Sequence, residues 1–160
     1  PAVEKSGRLG LNTLVVPGEI ERARGEELFR GASVEWVVLG GYTRLLPIPA
    51  GFEQRVVNIH PALLPAFGGK KMHGMAVHRA VIDAGCRVSG CTVHLCDEVY
   101  DAGPIVAQRC CEVREDDTPE TLAGRVFELE RALYPQALAG LFRAAAAGGL
   151  SIRGRMVRMI

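Results

Sequence analysis

Short apolar runs separated by charged or proline- and glycine-rich segments recur along this chain, and their spacing predicts alternating strands and helices. Leu14-Val15-Val16 reads as a short apolar strand, and Ile20 to Arg30, with apolar residues spaced among charges, as an exposed helix. Val34 to Leu39 reads as a buried strand ended by Gly40-Gly41; Arg55-Val56-Val57-Asn58-Ile59 has the β-branched content of another. Met75 to Ala84 predicts a helix stopped by Gly85. Cys91 to Cys96 and Ile105 to Val113 predict two more strands, joined by the acidic loop Asp97 to Pro104. Thr118 is placed to cap a long helix, Pro119 suits its first position, and Leu122, Val126, Leu129 and Leu133 form its core stripe. Ser151 to Val157 closes the chain as a hairpin or edge strand. The alternation indicates an α/β fold, with no repeat and no linker long enough to divide it.

Chemistry concentrates where the strand ending at Ile59 meets a proline-punctuated loop, in Asn58-Ile59-His60-Pro61-Ala62-Leu63-Leu64-Pro65. Alternation along a strand sends Asn58 and His60 to one face, and ligands of open α/β sheets gather beyond the carboxyl ends of strands. Taken alone, such a pair is more simply read as buried polar groups satisfied by backbone. A second block decides otherwise: Gly90-Cys91-Thr92-Val93-His94-Leu95, followed by Asp97-Glu98-Val99-Tyr100-Asp101-Ala102-Gly103-Pro104-Ile105.

Together the two blocks resemble the phosphoribosylglycinamide formyltransferases. The Asn-x-His-Pro-Ala-Leu-Leu-Pro, Gly-Cys-Thr-Val-His and Asp-x-Gly-Pro-Ile elements stand in the family's order, and the likeness extends through Asp116 to Leu122 and Arg125 to Pro135. The resemblance implies a three-layer, Rossmann-like α/β fold with a mixed, mostly parallel sheet. It implies formyl transfer from 10-formyltetrahydrofolate, the co-substrate, to the amine of glycinamide ribonucleotide in purine biosynthesis. By the same resemblance Asn58, His60 and Asp101 are catalytic: Asn58 and a protonated His60 donate toward the developing oxyanion, and Asp101 favours the imidazolium and fixes the ring. Thr43, Arg44, Leu45, Leu46, Asn58, Asp97, Glu98 and Asp101 are expected to bind the folate, Pro61 and Glu130 the ribonucleotide. Thr43 stands where the family often has a larger apolar residue. His78 and His94 are read as structural. Family members carry a strand, a glycine-rich loop, a helix and a second strand ahead of the part matched here. None precedes Pro1, and the chain has no initiator Met, so residues 1–160 are expected to form a single domain without its N-terminal part, lacking the first βαβ unit. The alternatives are another folate enzyme of the superfamily, a hydrolase or the methionyl-tRNA formyltransferase, or a binding fragment that kept the fold and lost catalysis.

Composition narrows this little. A hydrophobic share of 48% and a formal net charge of +1 describe an ordinary globule and give no electrostatic case for a nucleic-acid partner. No apolar run approaches the ~20 residues of a membrane span. Five cysteines without a secretory signal point to free thiols and a cytoplasmic location, and are read as small buried hydrophobes. Neither they nor the four histidines have a metal spacing, so no metal is expected. No G-x-G-x-x-G follows any strand, which excludes a dinucleotide site of that type.

Overall fold

A computed structural model describes residues 2–159. Ten elements follow in chain order: α1 (Ala2–Arg8), α2 (Arg22–Gly31), β1 (Val37–Val38), β2 (Val56–His60), α3 (Met75–Asp83), β3 (Val88–Leu95), β4 (Ile105–Glu112), α4 (Pro119–Ala146), β5 (Leu150–Arg153) and β6 (Met156–Met159). The strands form one sheet in the order β1-β2-β3-β4-β6-β5.

Alternation along β2 divides the molecule into layers. Val57 and Ile59 join a core built with Val93 and Leu95 of β3 and Leu122, Val126, Leu133 and Leu141 of α4, with Val81 of α3 beside them. Val56 faces the other way, into a second cluster of Leu46, Ile48 and Phe52 packed against Ile20 and Phe29 at and within α2. Helices therefore cover both faces of the sheet, as expected for a three-layer α/β fold. Leu122, Val126 and Leu141 are completely buried, each burial worth about 1.5–3 kcal/mol, so α4 carries much of the stability of the larger core.

The long helix α4 starts as its sequence predicts. Thr118 is its N-cap: the Thr118 side chain accepts from the Thr121 N–H, and Thr121 Oγ1 accepts from the Thr118 N–H in return. Asp117, just before the cap, holds Arg125 through two hydrogen bonds of 2.7 and 2.9 Å. Thr121 and the Arg114 N–H also donate to Asp117. The Arg125 guanidinium keeps the Asp117 carboxyl far below the usual carboxylate range.

Three expectations change. Leu14-Val15-Val16 is no strand; Leu14 and Val15 are 67% and 65% exposed, and a three-residue apolar run with no neighbour to pair with gains nothing from extension. The segment 34–39 shortens to the two-residue edge strand β1, half-exposed rather than buried, paired in parallel with β2. The sheet is mixed as expected, but two pairings are parallel and three antiparallel, so parallel pairs are not the majority. The physical reason is loop length. β3 and β4 are joined by residues 96–104 alone, too short a connection for a parallel crossover.

Candidate active site

Beyond the carboxyl end of β2 lies a cavity of about 650 Å³, walled by residues 39–46, the start of the loop after His60, residues 69–74, the loop after β3 and one flank of α4. That volume suits a small-molecule site, where a mostly apolar wall holds a few polar groups. Of the residues expected there, Thr43, Arg44, Leu45, Leu46, Asn58, His60, Pro61, Asp97, Asp101 and Glu130 all line it. The side chain of Leu46 belongs to the second core cluster, which leaves its backbone for the cavity. Glu98 does not line it: its carboxylate turns outward to Arg22 at 2.8 Å, because an exposed carboxylate gains more from a cation than from an apolar wall.

Strand pairing sets the centre. Asn58 and His60, two apart on β2, share the face turned away from α4, and antiparallel register places His94 opposite Asn58 and Thr92 opposite His60. The loop from β3 then brings Asp101 back over this face. Its Oδ2 lies 3.5 Å from His60 Nδ1 and its Oδ1 3.5 Å from His94 Nε2. The Gly69 N–H donates to Asp101 Oδ2 at 2.8 Å. Gly68 eases this approach, since a Cβ there would stand 2.6 Å from a Leu64 methyl and 3.0 Å from the Asp101 Cβ, so that both would have to shift.

The remaining bonds assign the ring nitrogens. His60 Nε2 lies 2.8 Å from the Phe67 carbonyl and must donate to it, which leaves Nδ1 facing Asp101. His94 Nδ1 likewise donates to the Leu95 carbonyl at 3.0 Å, and the Asn58 amide N–H reaches His94 Nε2 at 3.3 Å. One amide hydrogen of Asn58 is thus used and the other remains for the cavity. His94 is consequently part of the site and not merely structural, as its sequence position suggested. Only the cross-strand register could reveal this. His78, by contrast, is buried on α3 with its Nδ1 unpartnered.

Burial governs the charges. It pushes His60 below its ordinary pKa; Asp101 and the Phe67 carbonyl pull the other way, and His94 adds to the depression. The expected support of the imidazolium by Asp101 is present but outweighed, so His60 rests as the neutral base. For Asp101, burial acts to raise the pKa, yet its neighbours His94, the Gly69 N–H and His60 together hold its carboxyl below the usual range. Glu130 has no such partner. Burial alone pushes it up to about 7. Cys96, also on the cavity wall, is pushed up to about 12 by burial and by the neighbouring Asp101 and Asp97 carboxylates. Among the described residues no group of three or more His, Cys, Asp or Glu is arranged to hold a metal ion.

Three further residues of the site escaped the sequence reading. Tyr134 of α4 donates to the Leu39 and Val57 carbonyls at 2.8 and 3.1 Å, pinning the helix that carries Glu130 to the residue after β1 and to the body of β2. The Tyr100 hydroxyl accepts the Leu45 N–H at 2.9 Å, tying the loop after β3 to the opposite wall. Arg155 donates to the Asp101 carbonyl. The cysteines divide unevenly: Cys91 is buried, Cys86, Cys96 and Cys111 are half-buried, and Cys110 is exposed, contrary to the reading of all five as buried.

An α/β sheet with an amide, an imidazole and a carboxylate converging beyond a strand end is the layout of an open α/β fold with its candidate site at the strand ends. The chain belongs to the formyl transferase family, whose pattern matches residues 18–138. It is 45% identical over 117 residues to the chloroplastic phosphoribosylglycinamide formyltransferase of Arabidopsis thaliana, covering 72% of this chain and 40% of that protein. It is 40% identical over 130 residues to the phosphoribosylglycinamide formyltransferase of Bacillus subtilis, covering 80% of this chain and 61% of the relative. The crystal structure of glycinamide ribonucleotide transformylase 1 from Symbiobacterium toebii superposes with a TM-score of 0.83 at 36% identity, covering 99% of this chain and 74% of that one. The chain thus spans less than two thirds of the length of these curated relatives.

Proposed function

We propose that the chain transfers a formyl group from 10-formyltetrahydrofolate to the amine of glycinamide ribonucleotide. One observation carries this reading: Asn58, His60 and Asp101 converge on one wall of a cavity whose α4 flank presents Glu130. The names of the relatives support it. The cavity also fits the folate. Its volume and apolar lining suit a fused heterocycle, and residues 43–46 offer it backbone groups.

The residues divide the work. Glu130, once ionised, receives the substrate ammonium and takes one proton from it, which leaves the neutral amine to attack. The free amide hydrogen of Asn58 donates to the formyl oxygen as negative charge develops there, a role worth several kcal/mol for a preorganised donor. As the new C–N bond forms, neutral His60 takes a proton from the attacking amine. It returns one to the departing folate nitrogen as the old C–N bond breaks. Asp101, 3.5 Å away, stabilises the imidazolium formed between those two events. The His60 Nε2–H is committed to the Phe67 carbonyl, so proton exchange runs through Nδ1 or through withdrawal of that carbonyl.

The test is a steady-state assay with 10-formyltetrahydrofolate in the presence and absence of glycinamide ribonucleotide. Amine-dependent formyl transfer is the expected result. Formate release at the same rate without the amine would make the protein a hydrolase, and no turnover in either arm would leave a binding fold without catalysis.

A further inference from the structure

We infer that Arg155, in the turn between β5 and β6, is a positioning residue for Asp101. The inference rests on the function proposed above. Its observation is a pair of hydrogen bonds: the Arg155 guanidinium donates to the Asp101 carbonyl at 2.8 Å and reaches the Gly103 carbonyl at 3.4 Å, across more than fifty residues of chain. Arg155 makes no ion pair among the described residues, so its hydrogen bonds go to the backbone of the loop that carries the carboxylate.

Asp101 needs such a hold. Its φ is 54°, a left-handed conformation that a residue with a Cβ enters at a cost and keeps only when its surroundings fix it. Two groups fix it besides Gly69. Tyr100, one residue before, is tied to Leu45. Gly103, two residues after, lies so close to β3 that an added Cβ would stand 1.9 Å from the Leu95 carbonyl. Arg155 closes the span between them, and its own backbone is anchored, since the Ile105 N–H donates to its carbonyl at 2.6 Å and Met156 pairs with Ile105 in the sheet. The loop is therefore clamped from the far edge of the sheet. Releasing the clamp lets Asp101 leave its φ, and its two oxygens lose their places beside His60 and His94.

The guanidinium acts through geometry. Both bonds leave one nitrogen, Nη2, which the planar guanidinium holds in place; a lysine ammonium, on a shorter and more flexible stem, can replace them only in part. Arg155→Met is expected to lower kcat about tenfold, in keeping with the large cost of small misplacements in a reacting site, and to leave both KM values within about twofold. Arg155→Lys should fall between the two. The limb of the pH profile that requires neutral His60 should also move to lower pH, because Asp101 no longer raises the His60 pKa. Wild-type kcat in Arg155→Met, or a fall that only follows the folded fraction with an unmoved pH limb, would overturn the inference in favour of a scaffold role. Should Arg155→Met not fold, Arg155→Lys and the nitrogen-15 shifts of its His60 ring give the same decision: wild-type shifts with wild-type kcat overturn it. Asp101→Asn, measured in parallel, separates the two levels. If that variant keeps wild-type activity, the proposed mechanism fails and the positioning role with it; if it collapses while Arg155→Met does not, only the role of Arg155 fails.

Discussion

Replacing Asp101 by Asn removes one charge while keeping the shape, and an Asn carbonyl can still accept the Gly69 N–H that now holds Oδ2. Opposite unit charges at the 3.5 Å separating Asp101 from His60 attract by about 5 kcal/mol at an effective dielectric of about 20. Delocalisation over two oxygens and a ring, with water in the cavity, reduces this to about 2–3 kcal/mol on the same scale. The attraction matters only when His60 is charged, and that state arises between the two proton transfers. Asp101→Asn should therefore lower kcat about 10²-fold, since each 1.4 kcal/mol is worth about a factor of ten, and leave folate affinity within a few-fold. The same substitution removes the pull that raises the His60 pKa, so the acidic limb of the kcat profile should move to lower pH while its plateau falls. Stopped assays of formyl transfer across pH, beside an unfolding curve proving the variant folded, measure both. A plateau within about threefold of wild type, or a limb that moves upward, would refute the reasoning.

The remaining predictions concern three side chains. Glu130 ionises near pH 7, so the KM for the amine substrate should fall as pH rises through 7. Glu130→Gln should abolish that dependence and raise this KM about tenfold, while the folate KM stays put; equal effects on both constants would return Glu130 to an ordinary helix residue. Because its folded pKa is raised, wild-type stability should decline between about pH 4.5 and 7 relative to Glu130→Gln, as seen in unfolding midpoints. Tyr100→Phe removes one hydrogen bond between the walls and should raise the folate KM about fivefold with kcat unchanged; an unaltered folate KM in initial-rate assays would contradict this. Asp117→Asn should cost about 1.5 kcal/mol in denaturant unfolding near neutrality. Since the folded pKa of Asp117 is depressed, the difference should begin to shrink as pH falls below about 4, where the unfolded carboxyl protonates, and go on shrinking toward the much lower folded value; a pH-independent difference would argue against it.

What could be read from the sequence was whatever local pattern determines. The cap at Thr118 and the stripe of α4 follow from residues within two turns of one another, and β2 follows from its β-branched run. The convergence of Asn58 and His60 follows from the period of a strand. Other features depend on register and on what lies across the sheet. His94 joined the site through its place opposite Asn58, information that no single segment holds. Tyr100, Tyr134 and Arg155 act through partners 55, 95 and 54 residues away, and the outward turn of Glu98 depends on where α2 happens to place Arg22. Leu14 to Val16 failed as a strand because apolar character without a pairing neighbour is only an exposed run.

The division among the cysteines gives the experimenter a handle. The thiol on the cavity wall, Cys96, ionises only near pH 12 and so offers almost no nucleophile to an alkylating dye at neutrality. Cys110 stands exposed on β4 and does not line the cavity. A maleimide fluorophore therefore attaches by preference outside the binding cleft, and the native chain can report ligand-induced movement by its own label without an engineered cysteine-free background.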